Sequence, residues 1–261
     1  MGSSAAQQAS DDKSELLATF CSAVAEDLGL LAKLHRTELD DEAFSELKEI
    51  SFPKRLGLSL NGEKSSAVIE HLAKEIEAWP ESDRATLMDN LAADYAAMYL
   101  NKSYGVSPHE SVWLDDDGLV MQEPMFEVRE IYERHGLEAA DWHLLADDHL
   151  VNELEFIAYL MGQAAEGQNT ALSEVAGFLD IHLLRWLGQF AERAAPRCET
   201  GFYAGLVLLT DLYCEELRDL LALILEEPRP TDEEIFELTK KTEEIPIAAP
   251  AQYVPGASES W

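Results

Sequence analysis

The chain is poor in positive charge, poor in cysteine and free of long apolar runs, and each shortage removes a class of function. Lys and Arg total 19 against 51 Asp and Glu among 261 residues, a formal charge of −32. Phosphate recognition needs clustered cations, so this balance excludes nucleic acid as a partner. It equally disfavours attachment to anionic membranes. No stretch approaches the roughly 18 uninterrupted apolar residues of a membrane span, which excludes stable insertion. The opening MGSSAAQQASDDKSE has neither the basic nor the apolar region of a secretory signal, and residues 1–12 read as a disordered tail. Cys21, Cys198 and Cys214 are odd in number, widely spaced and without a C-x-x-C. They fit reduced, buried thiols in a cytoplasmic protein better than a disulfide framework or a zinc knuckle.

Several chemistries are also missing. None of the 14 glycines forms a G-x-G, so the dinucleotide and kinase loops are absent. There is no phosphate-binding G-x-x-x-x-G-K-[ST] and no H-E-x-x-H. No His has Glu three positions before it, which removes the Glu-x-x-His pair of di-iron bundles. The acidic turn Asp115–Gly118 superficially suggests a calcium loop. With Gly118 at the sixth position, however, Trp113 would stand at the first, where a carboxylate is needed.

What is present is helical periodicity. The chain is 47% hydrophobic, enough for a core of one large domain. Leu16, Leu17, Phe20, Val24, Leu28 and Leu31 recur at three- and four-residue steps. A helix is expected from Ser65 to before Pro80, and another capped by Ser82 and carrying Leu87, Leu91, Tyr95, Met98 and Tyr99. Residues 101–122 read as a long loop. Pro124 and Gly136 bracket the next helix. Asp147–Asp148 sits at an N-cap position before Leu150, Leu154, Ile157, Ala158 and Met161. Further helices are expected over about 179–195, stopped by Pro196, and about 202–225, stopped by Pro228, with a short one near 233–241. No strand alternation or internal repeat is found. The fold class is all-α: one globular bundle of about ten helices over 13–228. Its blocks, 13–136 and 147–228, are joined by a hinge at 137–146. An acidic, then Pro- and Ala-rich tail follows over 229–261.

One constellation has chemical potential: Asp147, Asp148, His149, Asn152 and Glu153. His149 and Glu153 are four apart and share a helix face. A carboxylate beside a histidine could support acid–base work, nucleotide handling or half of a metal site. Against this stands an N-cap followed by a helix-stabilising pair, which needs no further cause. Asp180 and His182 point to different faces, and His182 reads as a satisfied core histidine. Tyr95, Met98 and Tyr99, like Trp186 and Phe190, read as packing. Trp113, in a loop beside Pro108 and Asp115, reads equally as a lid over an apolar groove or as an anchor of its own loop.

Three segments together resemble the TorD/DmsD/NarJ family of maturation chaperones for molybdenum oxidoreductases. LAADYAAMYL (91–100) with SPHESVWLD (107–115) is similar to the family's aromatic helix and Pro-x-x-Ser-x-aromatic loop. ADDHLVNELEFIAYLM (146–161) is similar to its Asp-His-Leu-x-x-Glu-Leu helix start. FLDIHLLRWLGQF (178–190) with FYAGLVLLT (202–210) is similar to its His-Leu-x-x-Trp helix and following Phe-Tyr helix. The likeness covers about residues 85–225 in order. The turn before Asp148 lacks the family's proline, and Ser107-Pro108 stands for its Pro-Pro.

The resemblance implies a cytoplasmic all-helical chaperone without catalysis. It would bind the twin-arginine signal peptide of an apo-molybdoenzyme, or the apo-enzyme itself, and hold it until bis-molybdopterin guanine dinucleotide is inserted. It also implies no resident cofactor beyond a weak guanine-nucleotide or molybdenum-cofactor contact, and a monomer or a dimer swapped about the Asp-His hinge. Client-binding residues would be Tyr95, Met98, Tyr99, Pro108, Ser111, Trp113, Asp147, Asp148, His149 and Glu153. Leu150, Leu154, His182, Trp186, Phe202 and Tyr203 would be structural. Physically, two guanidinium groups followed by an apolar segment call for carboxylates beside an apolar groove. On this reading Asp147, Asp148 and Glu153 face a groove lined by Tyr95, Met98, Tyr99 and Trp113.

Overall fold

The computed structural model describes residues 2–140, 145–168 and 170–243. Eleven α-helices and no strand occur among them. They are α1 (Gly2–Arg36), α2 (Asp41–Glu49), α3 (Glu63–Glu77), α4 (Ala85–Tyr95), α5 (Ser111–Leu114), α6 (Glu123–Arg134), α7 (Leu150–Ala165), α8 (Thr170–Ile181), α9 (Leu187–Ala194), α10 (Gly201–Leu225) and α11 (Asp232–Glu243). The all-α class is thus confirmed. Residues to Arg229 form one compact unit, and those from Pro230 a second that carries α11. The sequence-expected hinge at 137–146 lies partly outside the described residues, as does the tail beyond Glu243.

The core is built on α7 and α10. α7 packs along α1 and α8, and α10 packs on α3, α8 and α9. Both carry apolar residues around most of their circumference, which marks interior helices. Leu150, Leu154, Ile157 and Met161 on α7 and Phe202, Tyr203, Leu206 and Tyr213 on α10 are buried. Each contributes about 1.5–3 kcal/mol by leaving water. Polar pins join the layers. His35 of α1 sits between Tyr99 Oη at 2.5 Å and Thr210 Oγ1 at 2.9 Å. Asp27 accepts from Tyr213 Oη at 2.8 Å and Leu58 N at 3.0 Å. Asp180 and Arg218 form a buried two-pronged ion pair at 2.8–2.9 Å.

Several local expectations are corrected. α1 is continuous from Gly2, taking in the segment read as a tail. Extending a formed helix needs no new nucleus, and no proline interrupts this segment. Leu16 is 71% exposed, since it falls one position off the stripe that buries Cys21, Val24, Leu28 and Leu31. Ser82 does not cap α4, which starts at Ala85 after Arg84 without a side-chain cap. Beyond Tyr95 the helix widens into one turn with a five-residue hydrogen bond, Asn101 N to Ala96 O at 2.9 Å. The expected helix over 179–195 is two: α8 ends at Ile181, and α9 starts only at Leu187. In the break, His182 (φ −116°, ψ −86°) and Trp186 (φ −131°, ψ −26°) leave helical geometry to reach buried carboxylates.

Candidate functional site

The start of α7 ties three parts of the molecule together through three consecutive residues. His149, and neither Asp147 nor Asp148, is the N-cap. Its backbone is extended (φ −79°, ψ 138°), and its ring Nδ1 accepts from Val151 N at 3.1 Å. A ring nitrogen thereby satisfies an amide that the helix start leaves open. Asn152 Nδ2 donates to Ala146 O at 2.8 Å and fixes the preceding turn. With the cap filled by His149, the two aspartates turn elsewhere. Asp147 Oδ2 accepts from Arg129 Nη2 at 2.7 Å and Nε at 3.1 Å, and its carbonyl accepts from Tyr132 Oη, both on α6. Asp148 Oδ2 accepts from Ser111 N at 2.8 Å, at the start of α5.

The loop before α5 is fastened to the same helix start by backbone bonds. Glu110 N donates to Asp148 O at 3.0 Å, and Leu150 N donates to Pro108 O at 2.8 Å. His109 and His149 thus form an isolated antiparallel bridge, their rings edge to face at 4.9 Å. Ser111 Oγ accepts from Gln122 N at 3.3 Å, which sets the approach to α6. Pro108 is buried in this clasp.

Beneath the clasp lies a sealed acid network. Glu110, Asp148 and Glu153 are all fully buried. Trp186 Nε1 donates to Glu153 Oε2 at 3.3 Å, and His182 Nδ1 lies 3.1 and 3.2 Å from the two oxygens of Glu110. Burial, reinforced by Glu110 and Asp148, pushes the Glu153 carboxyl well above its usual range. Glu153 Oε1 is one of the buried oxygens without a hydrogen-bond partner among the described residues. Asp148 Oδ1 is the second unpartnered oxygen. Burial also holds His149 well below the ordinary histidine value and lowers His109 to about 4, so both rings are neutral near pH 7.

The aromatic positions divide. Met98 is fully buried, in contact with Cys198 Sγ at 3.4 Å. Tyr95 donates to Arg36 O at 2.5 Å, Tyr99 bonds His35, and the two rings lie 4.9 Å apart. These three belong to the core and do not line an open groove. His182, Trp186, Phe202, Tyr203, Leu150 and Leu154 are likewise interior. Trp113 is half-buried and combines both of its readings. Its Nε1 donates to Ser107 O at 2.8 Å, anchoring the loop, and its ring lies under the Arg193 guanidinium at 4.8 Å. It also lines an open cavity of about 340 Å³ with Val106, Val112, Leu119 and Val120.

The geometry therefore corrects one expectation: Asp148 and Glu153 are sealed and Asp147 already holds Arg129, so none of the three faces an open aromatic groove. The exposed acid lies one turn further on. Half-buried Asp115 and exposed Asp116 and Asp117 sit on a turn closed by Gly118 (φ +60°), followed along the chain by exposed Leu119, Met121 and, on α6, Phe126. Two structural residues were not singled out from the sequence. Glu110 lay inside the quoted loop motif, with only its three-residue distance from Trp113 to mark it. Asp94 accepts from Glu199 N at 2.9 Å and from Thr200 N at 2.7 Å, pinning the start of α10, a pairing across more than 100 residues with no local signature.

Residues 62–192 match the nitrate reductase delta subunit family, half of the chain. Among curated relatives, the chain is 30% identical over 138 residues to "Chaperone protein TorD" of Vibrio vulnificus strain CMCP6, covering 51% of this chain and 64% of that one. It is 27% identical over 168 residues to the protein of that name from Vibrio cholerae serotype O1 (strain ATCC 39541), covering 62% and 75%. Against that of Escherichia coli K12 it is 26% identical over 190 residues, covering 71% and 90%. The Vibrio vulnificus match spans less than two thirds of that relative's length. With the family match, an all-helical core and the ordered motifs around α7, the chain belongs to the nitrate reductase delta subunit family, the family of TorD and NarJ.

Proposed function

We propose that this protein is a cytoplasmic chaperone for the maturation of a molybdenum oxidoreductase of the DMSO reductase type. It binds the twin-arginine signal peptide, the apo-enzyme, or both, and holds the client until bis-molybdopterin guanine dinucleotide is inserted. The relatives named as chaperones support the general role. The observation that carries the finer reading is the surface on the loop that Asp148 pins. There the aspartates at 115–117 are followed along the chain by exposed Leu119 (57%), which lines the Trp113 cavity, and by exposed Met121 (44%) and Phe126 (46%). A twin-arginine segment has the complementary pattern, paired guanidinium groups followed by an apolar run. Asp147, Asp148, His149 and Glu153 then act as positioning residues that hold the presenting loop. Trp113 acts as the contact residue, and Pro108 and Ser111 as the loop's fixed points.

The enzyme reading of Asp148 and His149 finds less support. Both side chains are engaged in fastening backbone amides, and the relatives are chaperones. The cofactor belongs to the client. Calorimetric titration with a twin-arginine peptide tests the proposal. The expected Kd is on the order of micromolar or tighter. It should weaken at least tenfold in Trp113→Ala and in the triple Asp115/Asp116/Asp117→Asn variant, and weaken with salt. Equal binding of a peptide with both arginines replaced by glutamine would contradict it.

A further inference from the structure

The cavity of about 340 Å³ beside Trp113 carries a charge pattern of its own. Its apolar lining comes from Val106, Val112, Leu119, Val120 and the Trp113 ring. Two further lining residues, Lys102 and Arg193, are cations, and no Asp or Glu among the described residues lines it. In a chain with 51 acidic residues against 19 basic ones, that reverses the sign of the general surface. The size and apolar character are those of a small-molecule site.

Arg193 is positioned without being used. Trp113 is anchored by its Nε1 bond to Ser107 O at 2.8 Å and stands edge-on to Phe190 at 6.4 Å. The Arg193 guanidinium lies over this fixed ring, 4.8 Å from its centre. Stacking occupies one face of a guanidinium and leaves its in-plane N–H groups available. Among the described residues those groups have no ion-pair or hydrogen-bond partner. Glu192, next to Arg193 in sequence, lies where its charge acts on Asp211 of α10. Lys102 is rooted in a tight turn. Its carbonyl accepts from Gly105 N at 2.9 Å, and its φ of +54° is uncommon for a residue with a Cβ. Its ammonium has no ion-pair partner among the described residues either. Asp115, on the neighbouring acidic turn, directs Oδ1 to Asp117 N at 3.0 Å.

We propose that this cavity binds a small organic acid, a free molecule whose apolar body packs on Trp113 and the valines and whose carboxylate is held by Arg193 and Lys102. A planar carboxylate accepts two parallel N–H bonds from a guanidinium, and a stacked guanidinium offers them in a fixed direction. A monoanion fits better than a phosphate ester, because the field of a strongly acidic protein opposes a dianion about twice as strongly. The proposal does not rest on signal-peptide binding. The two readings share Trp113 but call for opposite charges, the peptide on the aspartates at 115–117 and the acid on the two cations, so they fail separately.

Nuclear magnetic resonance of the full chain, following Trp113 Nε1–H and Arg193 Nε–H, tests it at neutral pH. The probes are 4-phenylbutyrate and the alcohol, amine and phosphate ester of the same body. The acid should shift both signals and bind with a Kd on the order of 0.1–1 mM. The alcohol and the amine should bind roughly tenfold more weakly or worse. The phosphate ester, and a tripeptide ending in phenylalanine with a free carboxylate, should bind no more tightly than the acid. Arg193→Gln and Lys102→Asn should each weaken the acid roughly fivefold or more without lowering the melting temperature. Both residues are exposed, and asparagine accepts the left-handed turn. The triple Asp115/Asp116/Asp117→Asn variant should bind the acid at least as well as the parent while it loses a twin-arginine peptide, which separates the two readings. The proposal is overturned if the acid does not bind up to about 10 mM, or if the alcohol or amine matches it. It is equally overturned if the phosphate ester or the tripeptide binds more tightly, or if neither cation variant changes its binding.

Discussion

Glu153 is the residue whose environment most constrains its chemistry. Its carboxyl is fully buried, with a second carboxylate, Glu110, as neighbour, and its affinity for a proton is raised. A carboxyl whose folded pKa lies above its unfolded value stabilises the fold fully below the unfolded value of about 4.5. That contribution is lost as pH rises through the folded value. Glu153→Gln keeps the shape of the side chain and an acceptor for Trp186 Nε1, and does not titrate. Relative to the parent it should therefore gain about 1.4 kcal/mol of stability per pH unit between about 4.5 and the folded pKa. Urea unfolding of both proteins at pH 5 and pH 7 reads this, and a difference independent of pH would contradict a protonated Glu153. Asp94 gives a simpler case. It accepts two backbone amides and the Thr200 hydroxyl at the start of α10. Asp94→Ala should cost about 3 kcal/mol, measured by denaturant unfolding, because the amides lose a charge-assisted partner inside the protein. The thiols are inert by comparison: burial pushes Cys21 up to about 11 and Cys198 up to about 12.

At the scale of elements, the clasp between the 107–111 loop and the start of α7 governs how the presenting surface is held. Asp148→Ala removes the Ser111 amide's partner and should cost about 2 kcal/mol. Hydrogen exchange at residues 110–114 should accelerate while α10 stays protected, since local opening of a segment costs less than global unfolding. Uniform acceleration across the chain would instead mean that Asp148 only supports the core. Much at this scale was legible in the sequence. α10 was bounded closely because a uniform apolar pattern ends near Pro228, and α6 because Pro124 and Gly136 frame it. The break at His182–Trp186 was not legible. Its periodicity continues without Gly or Pro, and the cause is the pull of Glu110 and Glu153, residues distant in sequence. From the sequence the cap of α7 falls on Asp147–Asp148 and not on His149, because Asp, Asp and His can all accept from a helix start. Only the loop that claims Asp148 decides among them. The motif residues were legible as a set. Their burial was not, since periodicity does not distinguish a carboxylate facing a groove from one sealed under a loop.

For the whole molecule, the charge of −32 divides into two populations. A few acidic side chains, Asp94, Glu110, Asp148 and Glu153, are sealed and structural, whereas most others, Asp115–Asp117 included, contact solvent. Self-repulsion among the exposed carboxylates opposes the compact state and is screened by salt. Raising sodium chloride should therefore increase the melting temperature while weakening a cationic peptide, two opposite responses separable by calorimetry on one preparation. No helix among the described residues is long and apolar enough to cross a membrane. The most direct measurement of the central claim is recovery of the tagged chain from its native cells, with identification of what accompanies it. The expected result is the cofactor-free catalytic subunit of a molybdoenzyme still carrying its twin-arginine leader, in amounts reduced at least tenfold by Trp113→Ala. Recovery of the chain without any molybdoenzyme subunit, from cells that are expressing one, would contradict the account.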